Sequence, residues 1–477
     1  MHEFDVKNFI NGSSVDSSSH FELCEPSTGQ VYLNSVDASA QDVDAAVAAA
    51  TVAAQSWRKV AVHDRAIALR RLSVLIMDNQ QELGRLESQQ TGKPLTQGLK
   101  DAELAARYFD FYASAVESLH GTTVPLSDNH HVFTTWEPHG VTAHIIPWNY
   151  PLQILARSVA PALAMGNCCV LKPAEQTPLT AIRLAQLALE AGIPSGAFNV
   201  VVGLGETTGA SLANHPGIEH ISFTGSVEVG RIIATSAAQN LIPVTLELGG
   251  KSPNIVFADA NLERAVPALV NAILQNAGQT CSAGSRLIVH ASIRDELVAK
   301  LVEKFEAITV GPALSDRGMG PLISQEQLDR VMSFMEVAKD EAKILTGGER
   351  LVGAEYGEGY FVQPTIIDNV EPDSRLGQEE IFGPVLVVHT FETMEEAIAI
   401  ANGTEYGLVA GVWTQDISVA HRMVKEVVSG QVFVNTYGAS GGVELPFGGF
   451  KKSGFGREKG FEGLKGFAAV KTAVVAL

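Results

Sequence analysis

Gly278-Gln279-Thr280-Cys281 places a cysteine among glycines and hydroxyl residues, in the longer run Asn276 to Arg286. Upstream, Leu246-Glu247-Leu-Gly-Gly-Lys251 sets a carboxylate in a second glycine-rich turn. Neither setting suits a packing role. A thiol that attacks and a carboxylate that activates water are the two groups needed to form and then hydrolyse a thioester. Asn149, in Ile145-Ile-Pro-Trp-Asn-Tyr-Pro-Leu152, carries an amide N–H₂ that can face a developing oxyanion, or can simply stabilise its turn.

Two further segments suit a nucleotide. Phe223-Thr-Gly-Ser-Val-Glu-Val-Gly230 follows an apolar run and opens a helical one, so its free N–H groups can meet an anion. Such turns are common, and this one is not a G-x-G-x-x-G. Leu171-Lys-Pro-Ala-Glu-Gln-Thr-Pro178 puts Lys172 and Glu175 at the C-terminal end of a strand, where open α/β sheets bind ligands. Glu175 there accepts from ribose hydroxyls and repels a 2′-phosphate, which favours NAD over NADP; the bland alternative is a solvated loop. Glu379-Glu-Ile-Phe-Gly-Pro384 and Pro446-Phe-Gly-Gly to Arg457 read as glycine-rich loops.

The elements that position these groups alternate. Residues 37–119 are Ala-, Leu-, Arg- and Glu-rich with helical periodicity, clearest over Val43 to Trp57 and Asp64 to Leu86. From about residue 140, short apolar runs (141–146, 168–171, 198–202, 218–223, 244–246) alternate with amphipathic helices. That rhythm predicts a parallel sheet with right-handed crossovers. It restarts after Gly250, with strands expected at 254–257, 286–290, 385–390, 408–413 and 432–435. Glu247 and Cys281 flank the junction, and a cleft between domains is a usual place for an active site. The polar, β-rich segment 122–137 and the apolar tail 467–477 fit neither unit. They are expected to form an oligomer-building arm, or else the tail tucks against its own domain.

Composition bounds the reading. The 477 residues exceed one simple core, and 46% hydrophobic with 18% charged residues is ordinary for a buried α/β protein. A net charge of −19 argues against nucleic-acid or anionic-membrane partners. The four cysteines (Cys24, Cys168, Cys169, Cys281) form no C-x-x-C pair and no zinc spacing, so no metal is expected. Cys168 and Cys169 lie in an apolar run that reads as an inert buried strand. The N-terminus lacks a signal-peptide pattern and no run approaches a membrane span, so a cytoplasmic location is expected.

Together these motifs resemble the aldehyde dehydrogenase superfamily, in family order along essentially the whole chain: Pro-Trp-Asn, Lys-Pro-Ala-Glu, Phe-Thr-Gly-Ser, Glu-Leu-Gly-Gly-Lys, Gly-Gln-Thr-Cys, Glu-Ile-Phe-Gly-Pro and Pro-Phe-Gly-Gly. The resemblance implies a Rossmann-like NAD-binding domain (1–119 and 139–249), a second α/β catalytic domain (250–455) and a β oligomerisation arm (120–138 and 456–477). Homodimers or homotetramers are usual. It implies Cys281 as nucleophile, Asn149 and the Cys281 backbone N–H as oxyanion hole, and Glu247 as the base that hydrolyses the thioester after hydride leaves for NAD. Lys172 and Glu175 would hold the adenosine ribose, with Gly225, Ser226 and Gly230 near the pyrophosphate. Ile146 and Trp148 would lie near the cofactor, Glu380 at the nicotinamide ribose and Phe382 against the ring. Relatives that use CoA in place of water tend to lack the base, so Glu247 points to hydrolysis.

Two departures bear on substrate and proton exit. Where the family often has Trp-Lys, with the lysine in a water relay to a late glutamate, this chain has Arg157-Ser158. The late acid, Glu458, is present, so proton exit from Glu247 is expected through solvent. The position of Arg157 lines the aldehyde tunnel in the family, and relatives acting on succinate semialdehyde place an Arg there for the distal carboxylate. They also carry an Arg six residues before the nucleophile, and here that residue is Gln275. With Tyr150, Thr280, Ser282 and Tyr437 beside Arg157, and the small residues of Tyr437 to Val443 opposite, the expectation is a roomy pocket. It would take a semialdehyde or aromatic aldehyde bearing an anionic group. Alternatively, Arg157 pairs with a neighbouring acid, and the substrate is a neutral aliphatic or aromatic aldehyde or an amino-aldehyde. A cofactor-free thiol hydrolase and a non-catalytic scaffold protein are the other classes. The ribose and phosphate motifs argue against the first, and intact Cys281, Glu247 and Asn149 against the second.

Overall fold

Five short apolar runs after residue 140 form the centre of an eight-stranded sheet in a computed structural model that describes residues 6–438 and 442–477. The parallel strands lie in the order Phe198–Val200, Cys168–Lys172, Val141–Ile145, His220–Thr224, Val244–Glu247. The chain starts in the middle, winds outward to one side, then returns and winds to the other. Val141–Ile145 and His220–Thr224 therefore flank a switch point, where adjacent crossovers diverge and leave a crevice at the C-terminal edge. Four of these strands are buried along their whole length, and the polar residues within them, such as Thr142, His144, Asn199 and Ser222, are buried with them. The helix Pro151–Met165 is buried at every position but Gln153, as an apolar-all-round helix must be.

Antiparallel edges finish this sheet. Asn8–Ile10 and Ser13–Val15 close one side, and Gly454–Phe455 pairs with Leu246 and Glu247 on the other. Gly454–Phe455 thus returns to the first sheet and covers Val244–Glu247, which would otherwise be an unpaired edge. Val443, Leu464 and Phe467 also pack in the first core.

The second sheet has seven strands: Lys343–Thr346, Thr365–Asp368, Val385–Phe391, Arg286–His290, Pro253–Val256, Val409–Trp413 and Gln431–Val434. All but the first pair parallel to their neighbours. Only Leu248 to Ser252 separates Glu247, the last residue of the first sheet, from Pro253, the first of the second. So short a link brings the C-terminal edge of one sheet to the N-terminal edge of the other. Outside both sheets, His130–Pro138 and Ala468–Ala476 pair antiparallel over nine residues each.

The helical N-terminal region differs from the expected pattern at one point. Asp64 to Leu86 is two helices, Val62–Asp78 and Gln80–Thr91, broken at Asn79, whose side chain donates back to the Leu75 carbonyl. A buried charge cluster ties this region to the site. Lys93 pairs with Asp101 and lies 3.7 Å from Glu87, and all three are buried. Glu87 accepts from the Leu152 N–H and the Thr180 hydroxyl, and the Lys93 ammonium sits 4.1 Å from the Tyr150 ring centroid. Burial raises both carboxyls, and Lys93 holds them down. Lys93→Met leaves two buried carboxyls without their cation. The expected loss is about 3–5 kcal/mol, read as a lower urea midpoint.

Candidate active site

The loop that carries Cys281 is held in an uncommon backbone shape. Asn276, Ala277 and Gly278 have φ of 51°, 53° and 72°, three left-handed residues in succession. A Cβ on Gly278 would lie 2.0 Å from the Gly383 carbonyl oxygen, so glycine is required where the loop after Glu380 crosses. Buried amides pin the turn. Asn149 Nδ2 donates to the Gln279 carbonyl at 2.9 Å, and Asn276 Nδ2 donates to the Asn149 carbonyl at 2.9 Å. The Gln279 side chain accepts from the Ile323 N–H at 2.9 Å. One N–H of the Asn149 amide is so engaged, and its second remains for another acceptor.

Cys281 is half-buried beside Leu408, Val409 and Phe447, with Phe433 and Tyr437 in the same apolar cluster. Burial pushes its thiol up to about 11; Arg157 and Lys459 pull it back, while Glu380 and Glu247 add to the rise. Cys168 and Cys169 are buried in their strand with thiols pushed still higher by burial. Glu247 ends its strand 2% exposed, and neither carboxylate oxygen has a partner among the described residues. Burial first, then the charge of Glu458, lifts it well above the usual carboxylate range; Arg157, Arg457 and Lys459 oppose this. A carboxyl this poorly solvated is a strong base once it loses its proton.

The nucleotide-type residues collect at the same edge. Lys172 ends one strand, and its ammonium donates to the Pro173 carbonyl and lies 3.5 Å from Glu175. Ile146 and Trp148 follow the central strand, and Trp148 meets Phe382 edge-on at 5.3 Å. Gly225 and Ser226 follow His220–Thr224, where the Ser226 hydroxyl caps the helix Val227–Asn240. Gly230 lies against Leu248, where a Cβ would come within 2.7 Å. Glu380 accepts from the Gly250 N–H at 2.8 Å, and burial pushes its carboxyl up to about 7. A Cβ on Gly249 would meet that carboxylate at 2.3 Å.

The residues expected to face the substrate have their polar ends already engaged. The Tyr150 and Thr280 hydroxyls lie 3.0 Å apart, and the Tyr437 hydroxyl donates to the Ser282 carbonyl at 2.7 Å. Arg157, expected either to anchor a substrate anion or to pair with a neighbouring acid, stands in an internal ion pair. Its guanidinium is 6% exposed, pairs through Nε with Glu458, and donates through Nη2 to Thr224 Oγ1 at 3.2 Å. A cation so buried needs an internal counter-charge, and Glu458 supplies it. Ser158 bonds the Ile154 and Leu155 carbonyls of its own helix and reaches no acid. Arg157 thus stands beside the late glutamate where the resemblance implied a lysine. Of the small-residue loop expected opposite, 439–441 lie outside the described residues. Phe447 stood in the sequence only as part of a glycine-rich loop, and Lys459, two residues past that loop's last marked residue, carried no signal beyond its place between Glu458 and a glycine.

The sequence model of the aldehyde dehydrogenase family matches residues 14–473, and the chain belongs to that family. Hydroxyisobutyraldehyde dehydrogenase of Mycolicibacterium austroafricanum is 44% identical over 97% of this chain and 92% of the relative. An NAD⁺ complex of an aldehyde dehydrogenase from Bacillus cereus superposes with a TM-score of 0.96 at 40% identity, covering 99% of this chain and 97% of the other. Betaine aldehyde dehydrogenase of Staphylococcus aureus, also an NAD⁺ complex, gives 0.96 at 36% identity, covering 98% and 96%.

Because thiolate is the reactive form, alkylation of Cys281 in the free enzyme is expected to accelerate about tenfold per pH unit from about pH 7 to about pH 10. Peptide mapping after iodoacetamide treatment checks this. Cys168 and Cys169 are expected to stay unmodified while the fold is intact.

Proposed function

We propose that this enzyme oxidises an aldehyde to its carboxylate with NAD as hydride acceptor and water as the oxygen donor. The observation that carries the reading is one cleft holding three groups. They are a half-buried thiol, a buried carboxylate without a partner, and an amide with one N–H engaged on the thiol's own loop. A cofactor-free hydrolase would have no use for the residues gathered at the switch point.

Cys281 attacks the aldehyde carbon as thiolate. The oxyanion that forms takes the free N–H of Asn149 and the backbone N–H of Cys281. NAD, when bound, would supply the hydride acceptor; loss of hydride from the tetrahedral carbon leaves a thioester on Cys281. Glu247 then removes a proton from water, the water adds to the thioester, and the carboxylate departs as the thiol is regenerated. Burial and the charge of Glu458 raise the Glu247 pKa, and the carboxyl acts as base only once deprotonated, so hydrolysis speeds up as pH rises through that raised pKa.

The residues fit the cofactor. Lys172 and Glu175 offer an ammonium and a half-buried carboxylate at a strand end, the donor and acceptor pair suited to a ribose diol. Gly225, Ser226 and Gly230 open a helix toward the pyrophosphate, Ile146 and Trp148 line the way, and Glu380 with Phe382 takes the nicotinamide end. Glu175 disfavours a 2′-phosphate, which makes NAD the preferred form. On this reading residues 1–119 and 139–249 form the cofactor unit and 250–455 the catalytic unit, with Gly454–Phe455 lent to the edge of the first sheet, and 120–138 with 456–477 form the arm.

The relatives' names cover a neutral hydroxyaldehyde and a cationic one, so family alone leaves the substrate's charge open. The terminal strand exposes Val470, Val474, Val475 and Leu477, and we assign the ribbon it forms with His130–Pro138 to assembly of a homodimer or homotetramer in a soluble, cytoplasmic enzyme. Removing residues 468–477 is expected to lower the mass seen by light scattering.

Absorbance at 340 nm tests the chemistry. Cys281→Ala is expected to form no NADH. Glu247→Gln is expected to keep a single-turnover burst while steady-state turnover falls about 100-fold or more. Loss of the burst would place Glu247 before hydride transfer.

A further inference from the structure

Lys459 is a cation at this cleft that the proposed chemistry leaves without a task. Its ammonium lies 5.0 Å from the Phe447 ring centroid, and the Arg157 guanidinium carbon lies 5.2 Å from the same ring. Phe447 packs in one cluster with Cys281. Lys459 is close enough to Cys281, Glu458 and Glu247 to feel all three electrostatically. The nearest acid is already engaged: Glu458 pairs with Arg157, and its other oxygen accepts from the Ser222 hydroxyl at 3.1 Å. Among the described residues, no carboxylate or carbonyl holds the Lys459 ammonium, and its side chain is only half-buried.

The backbone supplies an independent argument. Lys459 has φ 59° and ψ 167°, a region occupied almost solely by glycine. Gly460 follows it, and a glycine at 459 would hold the same shape without strain. A lysine kept in a glycine conformation, with its charge unpaired beside the reactive thiol, is strain retained for the side chain. With Arg157 and Glu458 cancelling, and burial shifting Glu247 toward its neutral form, Lys459 leaves this end of the cleft positive.

We propose that Lys459 is a specificity-determining residue whose ammonium receives the carboxylate of the substrate, so that the enzyme prefers carboxyl-bearing aldehydes to neutral or cationic ones of similar size. This rests on Cys281 being the attacking thiol. It moves the anion-binding role from Arg157, which is neutralised inside the protein, to a cation that is not. Attack and hydrolysis at the carbonyl proceed as above, and Lys459 holds only the far end of the molecule.

The test compares kcat/KM for succinic semialdehyde, butanal and betaine aldehyde in the wild type, Lys459→Met and Lys459→Gly, all with NAD. The wild type is expected to favour succinic semialdehyde. Both variants are expected to lose that preference over butanal by about tenfold or more, the range of one charge-assisted hydrogen bond, mainly through KM. Their relative rate on betaine aldehyde is expected to rise. Lys459→Gly is also expected to melt at or above the wild-type Tm, because the backbone strain is gone, which separates lost recognition from lost folding. Equal losses for all three aldehydes would make Lys459 a modulator of the thiol and overturn the proposal, as would a wild type indifferent to substrate charge. If the wild type formed no NADH from any of the three, the oxidising activity itself would fail and the Lys459 assignment with it.

Discussion

The five-residue link from Leu248 to Ser252 is the constraint on which the rest of the structure depends. It leaves the C-terminal edge of one parallel sheet and enters the N-terminal edge of the other, so those edges must face each other across a narrow gap. Both glycines are needed inside it. A Cβ on Gly249 would strike the Glu380 carboxylate at 2.3 Å, and one on Gly250 would strike the Cys281 carbonyl at 2.4 Å. The first turn therefore admits the group assigned to the nicotinamide ribose, and the second admits the thiol's loop. With Glu247 as the residue just before the link, this carboxyl and the thiol of Cys281 are neighbours by covalent geometry as much as by packing.

Charge is arranged around that gap by burial. Glu247, Glu380 and Cys281 are all displaced toward their neutral forms, chiefly because water is withdrawn from them. Arg157 and Glu458 enter the same region as a pair, since either alone would be an uncompensated buried charge. Taking the guanidinium out of play has a consequence for recognition. Cys281 itself packs on a buried apolar cluster of Leu408, Val409 and Phe447, and the Lys459 ammonium lies beside the Phe447 ring.

Much of this was legible in the chain, for identifiable reasons. Strands such as Cys168–Lys172 and Arg286–His290 are buried on both faces, so they read as unbroken apolar runs with little ambiguity. The edge strands Asn8–Ile10, Ser13–Val15 and Gly454–Phe455 were not legible, because two or three residues carry no period. The break at Asn79 hid inside one continuous helical pattern, since the helix on its far side keeps similar composition. Cys281, Glu247 and Asn149 stood out because glycines flank them or a Pro-Trp precedes them. Lys93, Asp101 and Glu87 did not, because a charged residue on a helical stretch ordinarily faces solvent. Here all three turn inward under Tyr150.

The amino-acid sequence by itself determined the two parallel-sheet units and singled out the residues proposed to react and to hold the cofactor, because each of these rests on local order: residue type, spacing and turn chemistry. Only the tertiary structure decided what each charge meets. Arg157 and Glu458 are 301 positions apart, as are no two residues a pattern could connect, and their pairing turned a presumed substrate anchor into an internal ion pair. Lys459, next in the chain to that glutamate, was left with its charge toward the thiol. A charge's partner depends on distances through space, and a one-dimensional sequence carries those only after the chain has folded.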